Sequence, residues 1–155
     1  MTTTSQPVVV VPATLDDLDA IEAIELDCYS TPWSRQTLTF ELMDANIVGL
    51  VARDDVVLGY TFMRHGFGEG HIESIAVAPS AQRRGVASYL MEALLVWARE
   101  NALTTIALEV RQGNRAAMTL YHKYGFKIEG YRRGYYVDPI EDAILMRLNL
   151  EESYE

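Results

Sequence analysis

The feature that most constrains the fold is a strand, a turn and an amphipathic helix that follow one another within residues 71–101. Apolar and polar residues alternate over residues 71–77, which predicts a strand. Pro79 and Ser80 interrupt this pattern, and the helix that follows carries one apolar face, made of Leu90, Met91, Leu94, Leu95 and Ala98. Such a unit predicts a mixed α/β domain with a turn at the N-terminus of this helix.

That turn has the composition of an anion site. It contains the hexapeptide Gln82-Arg83-Arg84-Gly85-Val86-Ala87. The first turn of a helix has unpaired backbone N–H groups, and the aligned peptide dipoles add partial positive charge there. Gly85 leaves the backbone accessible to a phosphate, and the two arginines add charge at the rim. The pattern favours a pyrophosphate ligand, although a tight turn with two solvated arginines would have the same spacing.

The remaining segments complete an α/β domain. The strands predicted from alternation and β-branched runs are residues 8–11, 47–53, 56–65, 71–77, 105–111, 126–133 and 143–149. Three further helices are predicted: one begins at a capping box of Thr14 and Asp17, one is capped by Ser34, and one runs from Asn114 to Gly125. A loop that carries Tyr135 and Tyr136 joins the last two strands.

Length and composition indicate one domain. The 155 residues suffice for a real core, and no apolar run is long enough to span a membrane. We expect residues 1–7 to be a disordered stub, residues 8–150 the domain and residues 151–155 a polar tail. Cys28 is the single cysteine, which agrees with a reducing, cytoplasmic compartment, and we expect it to be a small buried hydrophobic residue.

Charge is distributed unevenly along the chain. The net charge is −9, and residues 1–60 contain ten acidic residues against Arg35 and Arg53. Residues 79–115 are locally basic, which favours a polyphosphate cofactor, while the acidic remainder would attract a cationic partner. Solvated surface charge is the alternative for most of these residues. The balance argues against nucleic-acid binding, and the three histidines have no metal-ligand spacing.

Several motifs together resemble the GCN5-related N-acetyltransferase (GNAT) family. They are Arg-x-x-Gly-x-Ala after a strand, Leu108-Glu109-Val110-Arg111, Asn114, Tyr121 and Gly125-Phe126. Further segments are most similar to the RimI-type ribosomal-protein alanine N-acetyltransferases: Pro32-Trp33-Ser34, Arg132-Arg133-Gly134-Tyr135-Tyr136 and Glu141-Asp142-Ala143. The resemblance implies a single-domain α/β (α+β) fold with about seven strands in a mixed sheet and about four helices.

The resemblance also implies acetyl-CoA as cosubstrate and no metal. In this family the two central parallel strands splay apart and the pantetheine arm lies between them; here these are residues 71–77 and 105–111. The implied cofactor contacts are Ile75, Ala76, Val77, Arg83, Arg84, Gly85, Val86, Ala87, Ser88 and Asn114. Ala87 replaces a usual glycine, which is a tolerated change. Gly113 stands where relatives commonly carry a small polar residue, so the local loop geometry is open.

Two residues are predicted to carry the proton transfers. A carboxylate within a short apolar strand is uncommon unless it is paired or faces a cleft, so Glu109 is the predicted general base, directly or through a water. The alternative is a salt bridge with Arg111 or Arg115, and Glu73 is the second choice of base. The motif position selects Tyr121 as general acid, because a phenol can protonate a thiolate of comparable basicity.

The predicted acceptor is the free N-terminus of a protein, with N-terminal alanine of a ribosomal protein implied by the resemblance. Trp33, Glu73, Tyr135 and Tyr136 are the predicted acceptor-binding residues, although Trp33 and the tyrosines could instead be packing residues. A lysine or small-molecule amine N-acetyltransferase and a non-catalytic acyl-CoA-binding module are the alternatives. We expect no nucleic-acid or membrane partner and a monomer or weak dimer.

Overall fold

The computed structural model describes residues 6–151, which form one mixed seven-stranded sheet flanked by four α-helices. Along the chain these are β1 (Val9–Pro12), α1 (Leu18–Cys28), α2 (Arg35–Met43), β2 (Ile47–Arg53), β3 (Val57–Gly66), β4 (Glu69–Val77), α3 (Val86–Glu100), β5 (Thr105–Arg111), α4 (Arg115–Lys123), β6 (Lys127–Tyr136) and β7 (Glu141–Asn149). The order in the sheet is β1-β2-β3-β4-β5-β7-β6. This confirms the fold class. The predicted stub and tail lie largely outside the described residues.

Local sequence signals set the helix ends. Thr14 forms the predicted capping box with Asp17, at the start of a short 3₁₀ helix that leads directly into α1. The Ser34 hydroxyl accepts a hydrogen bond from the Thr37 N–H at 3.1 Å and caps α2. Gly125 follows α4 with φ of +97°, a conformation that glycine adopts without steric cost. These ends are therefore specified within a few residues of sequence.

The apolar face of α3 packs on one side of the sheet, and α1 and α2 cover the other. Leu90, Met91 and Leu94 are fully buried, and burial of each such side chain contributes roughly 1.5–3 kcal/mol. Gly59 on β3 allows close approach, because a Cβ there would lie 2.7 Å from the Ala76 carbonyl oxygen and 3.1 Å from Val86 Cγ1. The N-terminal turn of α3 is thereby held close to β4.

The two parallel strands at the centre of the sheet diverge. β4 and β5 pair only at their beginnings, through Glu69 with Thr105, Gly70 with Ile106 and His71 with Ala107. Beyond these positions β4 pairs only with β3, and β5 pairs only with β7. The splay implied by the resemblance is therefore present, and it opens the middle of the sheet.

Three local expectations are corrected. β6 continues to Tyr136 and β7 begins at Glu141, so Tyr135 and Tyr136 lie on a strand rather than in a loop. Tyr136 pairs with Glu141, and the irregular register between Arg132 and Tyr136 accommodates Gly134 at φ of +60°. β4 begins at Glu69, two residues early, because a tight turn at residues 67–68 with positive φ extends the β3–β4 hairpin. Cys28 is exposed rather than buried.

Candidate active site

A cleft of about 1140 Å³ opens where β4 and β5 diverge, and we call it the central cleft. Its walls come from the end of α1, from α2, β4, β5 and α4, and from the β6–β7 hairpin. The predicted site residues that line it are Trp33, Glu73, Ile75, Ala76, Val77, Ala87, Glu109, Asn114, Tyr121, Tyr135 and Tyr136. The others, Arg83, Arg84, Gly85, Val86 and Ser88, do not line the cleft and lie on either side of Ala87 in the sequence.

Glu109 is partly buried in the cleft wall and pairs with a histidine. Its Oε2 lies 2.5 Å from His71 Nε2, and its side chain is 19% exposed. The predicted alternative is wrong: among the ion pairs of residues 6–151, Glu109 pairs with His71 and not with Arg111 or Arg115, and Arg111 pairs with Glu141. His71 was not predicted as a site residue. Its partner is 38 residues away, and only the pairing of His71 with Ala107 brings the two side chains together.

Tyr121 is a buried phenol in the cleft. Its ring packs against Phe126 with 5.8 Å between centroids, and the residue is 5% exposed. None of the hydrogen bonds of residues 6–151 involves its hydroxyl. Burial, and then the nearby Tyr136, raise the pKa of Tyr121 well above its usual value. The phenol therefore holds its proton at neutral pH, and it lines the cleft.

Arg111 organises the β6–β7 connection. Its guanidinium donates to the carbonyl oxygens of Val137 and Pro139, both at 3.0 Å, and to Glu141 Oε1 at 3.2 Å. It also stacks on the Tyr136 ring at 4.5 Å from the centroid. The planar guanidinium of Arg111 therefore serves three acceptors at once. The arginine of the Leu-Glu-Val-Arg motif thus fixes the loop that borders the cleft.

Gly113, which stands where relatives commonly carry a small polar residue, is in close contact with Glu141. Its N–H donates to Glu141 Oε2 at 2.6 Å, and a Cβ at this position would lie 2.6 Å from the same oxygen. A larger residue would displace the Glu141 carboxylate. Gly113 and Arg111 therefore hold the two oxygens of Glu141 and tie the β6–β7 hairpin to the end of β5.

Tyr135 and Tyr136 stand at the mouth of the cleft. Their rings are 5.0 Å apart at a 38° tilt. Burial first, and then the neighbouring Tyr135 and Glu109, raise the pKa of Tyr136 to about 12. The pair combines apolar area with two hydroxyl groups, which suits contact with an extended peptide.

Two side chains at the end of α1 bond to the backbone of β4 beside the cleft. The Tyr29 hydroxyl donates to the Ile75 carbonyl at 3.1 Å, and Cys28 Sγ donates to the Val77 carbonyl at 3.3 Å. Both residues line the cleft, and neither was predicted there. Burial, then the charges of Asp27 and Glu25, raise the pKa of the Cys28 thiol. A thiol that retains its proton is a poor nucleophile.

The first turn of α3 is open to a ligand. Gly85 is the N-cap residue with φ of +74°, no side chain caps the helix, and a Cβ at Gly85 would meet nothing within 4 Å. Arg84 donates to Asp54 Oδ2 at 3.0 Å and so anchors the turn to the β2–β3 connection. Arg83 is exposed. The arrangement fits an anion whose remaining length extends past Ala87 into the central cleft.

Two further predicted residues have a structural role as well. The Asn114 side chain accepts a hydrogen bond from the Ala117 N–H at 3.1 Å, as the N-cap of α4. Trp33 packs near Phe62 at 6.5 Å and also lines the cleft, so both of its proposed roles are compatible. The backbone N–H of Trp33 donates to Glu25 Oε2 at 2.8 Å, and the buried Glu25 also accepts a hydrogen bond from the Tyr60 hydroxyl.

Within residues 6–151, no group of three His, Cys, Asp or Glu side chains could hold a metal, and no helix could cross a membrane.

Comparison with known proteins gives a consistent result. Residues 18–126 match the model of the acetyltransferase (GNAT) family. A [ribosomal protein bS18]-alanine N-acetyltransferase of Salmonella typhimurium is 34% identical over 134 residues, 85% of this chain and 90% of that protein. A putative enzyme of that description from Bacillus subtilis is 27% identical, over 89% of this chain and 93% of that protein. The crystal structure of the ribosomal-protein-S18-alanine N-acetyltransferase from Escherichia coli has a TM-score of 0.87 and 29% identity, covering 92% of this chain and 94% of that chain.

Proposed function

The chain belongs to the acetyltransferase (GNAT) family, and from this premise we propose that it transfers the acetyl group of acetyl-CoA to the α-amino group of a protein N-terminus. The observation that carries the proposal is the placement of Glu109 and Tyr121 in the one cleft between the diverging strands. A ribosomal protein with N-terminal alanine is the proposed acceptor, since two relatives that match most of this chain carry that description. Such an acceptor places the activity in the cytoplasm.

The proposed position of acetyl-CoA follows the length of the cleft. Its pyrophosphate would meet the open N–H groups of the α3 first turn, where Gly85 presents no side chain. Its pantetheine arm would follow β4 past Val77 and Ile75. When bound, acetyl-CoA supplies an activated thioester carbonyl. Asn114 lies on the opposite wall of the same cleft, at the start of α4.

The residues of the cleft divide the proton transfers. Glu109 accepts a proton from the acceptor amine, directly or through a water, with Oε2 held by His71. Tyr121 donates its proton to the departing thiolate, since burial keeps the phenol protonated. Glu73, Trp33, Tyr135 and Tyr136 form the acceptor side in this proposal.

An α-amino group is the easier acceptor for one carboxylate. Its pKa is near 8 against about 10.4 for lysine, so its deprotonation at neutral pH costs about 3 kcal/mol less. A single base of ordinary strength is therefore sufficient, and no second strong base is required. This difference favours the N-terminus over a lysine side chain.

Two matched peptides test the proposal. One has a free N-terminal alanine and an acetylated lysine; the other has an acetylated N-terminus and a free lysine. Release of the CoA thiol should be at least tenfold faster with the first peptide at pH 7.5. Equal rates would refute the α-amino assignment, and no release with either would refute the transferase assignment for these acceptors. Titration calorimetry of CoA against pantetheine, which lacks the pyrophosphate, separately tests the α3 site.

A further inference from the structure

A pair of carboxylates lies on the wall of the central cleft, outside the residues assigned to proton transfer. Glu41 from α2 and Glu73 from β4 both line the cleft. Arg64 on β3 is their common cationic neighbour: its Nε lies 2.9 Å from Glu73 Oε1, and its Nη2 lies 3.8 Å from Glu41 Oε1. Arg64 Nη1 also lies 3.3 Å from Oδ2 of Asp44, the residue that follows α2.

Glu41 is the unusual member of this group. Its side chain is only 10% exposed, and its Oε2 has neither solvent contact nor a hydrogen-bond partner within residues 6–151. The carboxyl of Glu73 is in contact with that of Glu41, and two adjoining carboxylates cannot both ionise without a penalty. Burial first, then Glu73, raise the pKa of Glu41 to about 8. The pair therefore holds one shared proton at neutral pH.

Negative charge exceeds positive charge around the pair even when it carries that proton. One guanidinium, that of Arg64, serves three carboxylates. His65 is the other titratable group near Glu41; both border a separate cavity of about 320 Å³, where the His65 ring packs 4.7 Å from Trp97. A second cation that entered from the central cleft would replace the shared proton and satisfy the buried oxygen. A buried carboxylate without a partner carries a large desolvation penalty, which a paired cation offsets.

We infer that Glu41 and Glu73 form a subsite for a lysine or arginine side chain of the acceptor, close behind the amine that is acetylated. The inference rests on the proposed function and narrows it to acceptors with a basic residue near their N-terminus. The carboxylate pair and Arg64 supply the specificity, because the cation replaces the shared proton one for one. A neutral side chain leaves the proton in place and gains nothing from the subsite.

Peptides that differ in one charge test the inference. Each begins with alanine, and one arginine is placed in turn at the second to fifth position, against citrulline at the same position. Citrulline keeps the shape and removes the charge. At one position arginine should raise kcat/KM by about tenfold or more, and the citrulline peptides set the baseline of the transferase itself. Equal kcat/KM for every arginine and citrulline pair would overturn the inference while leaving the proposed function intact.

Two variants and a control locate the effect. Glu41→Gln should abolish the preference for arginine and leave the citrulline peptides nearly unaffected. Glu73→Gln should abolish the same preference, measured against the rate of that variant with the citrulline peptides. Glu100→Gln, at the exposed end of α3, removes the same charge outside the cleft and should retain the preference. A preference that survived in both cleft variants would place the cation elsewhere and refute the assignment.

Proton release gives a readout that needs no turnover. Calorimetric titration at pH 7 in buffers of different ionisation enthalpy should show more protons released by the preferred arginine peptide than by its citrulline partner. The α-amino group is common to both peptides, so the difference reports on the carboxylate pair. Glu41→Gln should remove the difference. Equal proton release for the two peptides in the unmodified protein would contradict the exchange of proton for cation.

Discussion

Replacement of Tyr121 by phenylalanine removes one hydroxyl from the central cleft and leaves the aromatic ring in place. The ring packs on Phe126, and the residue is 5% exposed, so phenylalanine fits the same space. The hydroxyl makes no hydrogen bond to the described part of the chain. Its loss therefore leaves no buried partner unsatisfied.

The magnitudes of the two effects separate catalysis from folding. Loss of a general acid lowers kcat by about 10²- to 10⁴-fold. The free energy of unfolding should change by no more than about 0.5 kcal/mol, which for a chain of this length is a Tm shift of roughly 2 °C or less. A large fall in kcat with an almost unchanged Tm is the expected result.

The assay compares Tyr121, which lies in α4, with Tyr124, which is the C-cap residue of the same helix. Thiol release from acetyl-CoA with an alanine-starting peptide gives kcat, and thermal unfolding gives Tm. Tyr124→Phe is the control, because its hydroxyl lies outside the cleft and bonds to Glu92 Oε1 at 3.1 Å. Tyr124→Phe should retain kcat within about threefold. An unchanged kcat in Tyr121→Phe would refute the general-acid role; a fall in Tm above about 5 °C would refute the packing argument.

Three further changes follow from contacts at the cleft. His71→Ala should lower kcat by about tenfold to a hundredfold because Glu109 loses the contact that orients it, and His71→Gln should restore part of the rate; equal rates for both and the unmodified enzyme would exclude this role. Gly59→Ala should lower stability by about 1–3 kcal/mol and raise KM for acetyl-CoA, since its Cβ would press on the Ala76 carbonyl of β4; an unchanged Tm would contradict this. Folding raises the pKa of Glu41 from 4.5 to about 8, so the folded chain binds this proton more tightly than the unfolded chain. The stability that the proton contributes therefore falls as the pH rises through that range. The Tm of Glu41→Gln, relative to that of the unmodified protein, should rise between pH 5 and pH 9, and a constant Tm difference would contradict this prediction.

The parts of the fold that follow from neighbouring residues were predictable. Helix caps at Thr14, Ser34 and Asn114 depend on a hydroxyl or amide within three residues of the N–H it meets. The buried face of β5 follows from strict alternation. The arrangement around Gly85 is equally local, because its conformation and the free helix end arise within one turn. The resemblance added the order of the elements, which periodicity does not determine.

Contacts between distant elements were not predictable from spacing. His71 and Glu109 meet because two strands pair in one register and then part, and a shift of two residues would separate them. Glu41 and Glu73 come from a helix and a strand that pack through the tertiary fold. Cys28 was expected inside on the basis of residue type alone, but it ends α1 beside the splayed edge of β4. Ion pairs between side chains on different elements can therefore be identified only from the tertiary structure.

The length of the strands in the β6–β7 hairpin was also not predictable from the sequence. Gly134 and Pro139 suggested a long loop, yet the strands continue to Tyr136 and from Glu141. Long-range contacts hold them there: Arg111 bonds three acceptors of this segment, and Asp142 Oδ1 accepts from the Gly134 N–H at 2.9 Å. Turn-forming residues determine the local backbone conformation. The contacts from Arg111 on β5 determine how far the pairing of β6 with β7 extends.

The most direct measurement is tandem mass spectrometry of one peptide that carries both a free N-terminal alanine and a free lysine, after brief incubation with the enzyme and isotopically labelled acetyl-CoA. The proposal predicts that the label resides on the N-terminal fragment ions, and that Glu109→Gln slows its appearance. Label on the lysine at an equal or higher level would contradict the central claim that this cleft acetylates protein N-termini.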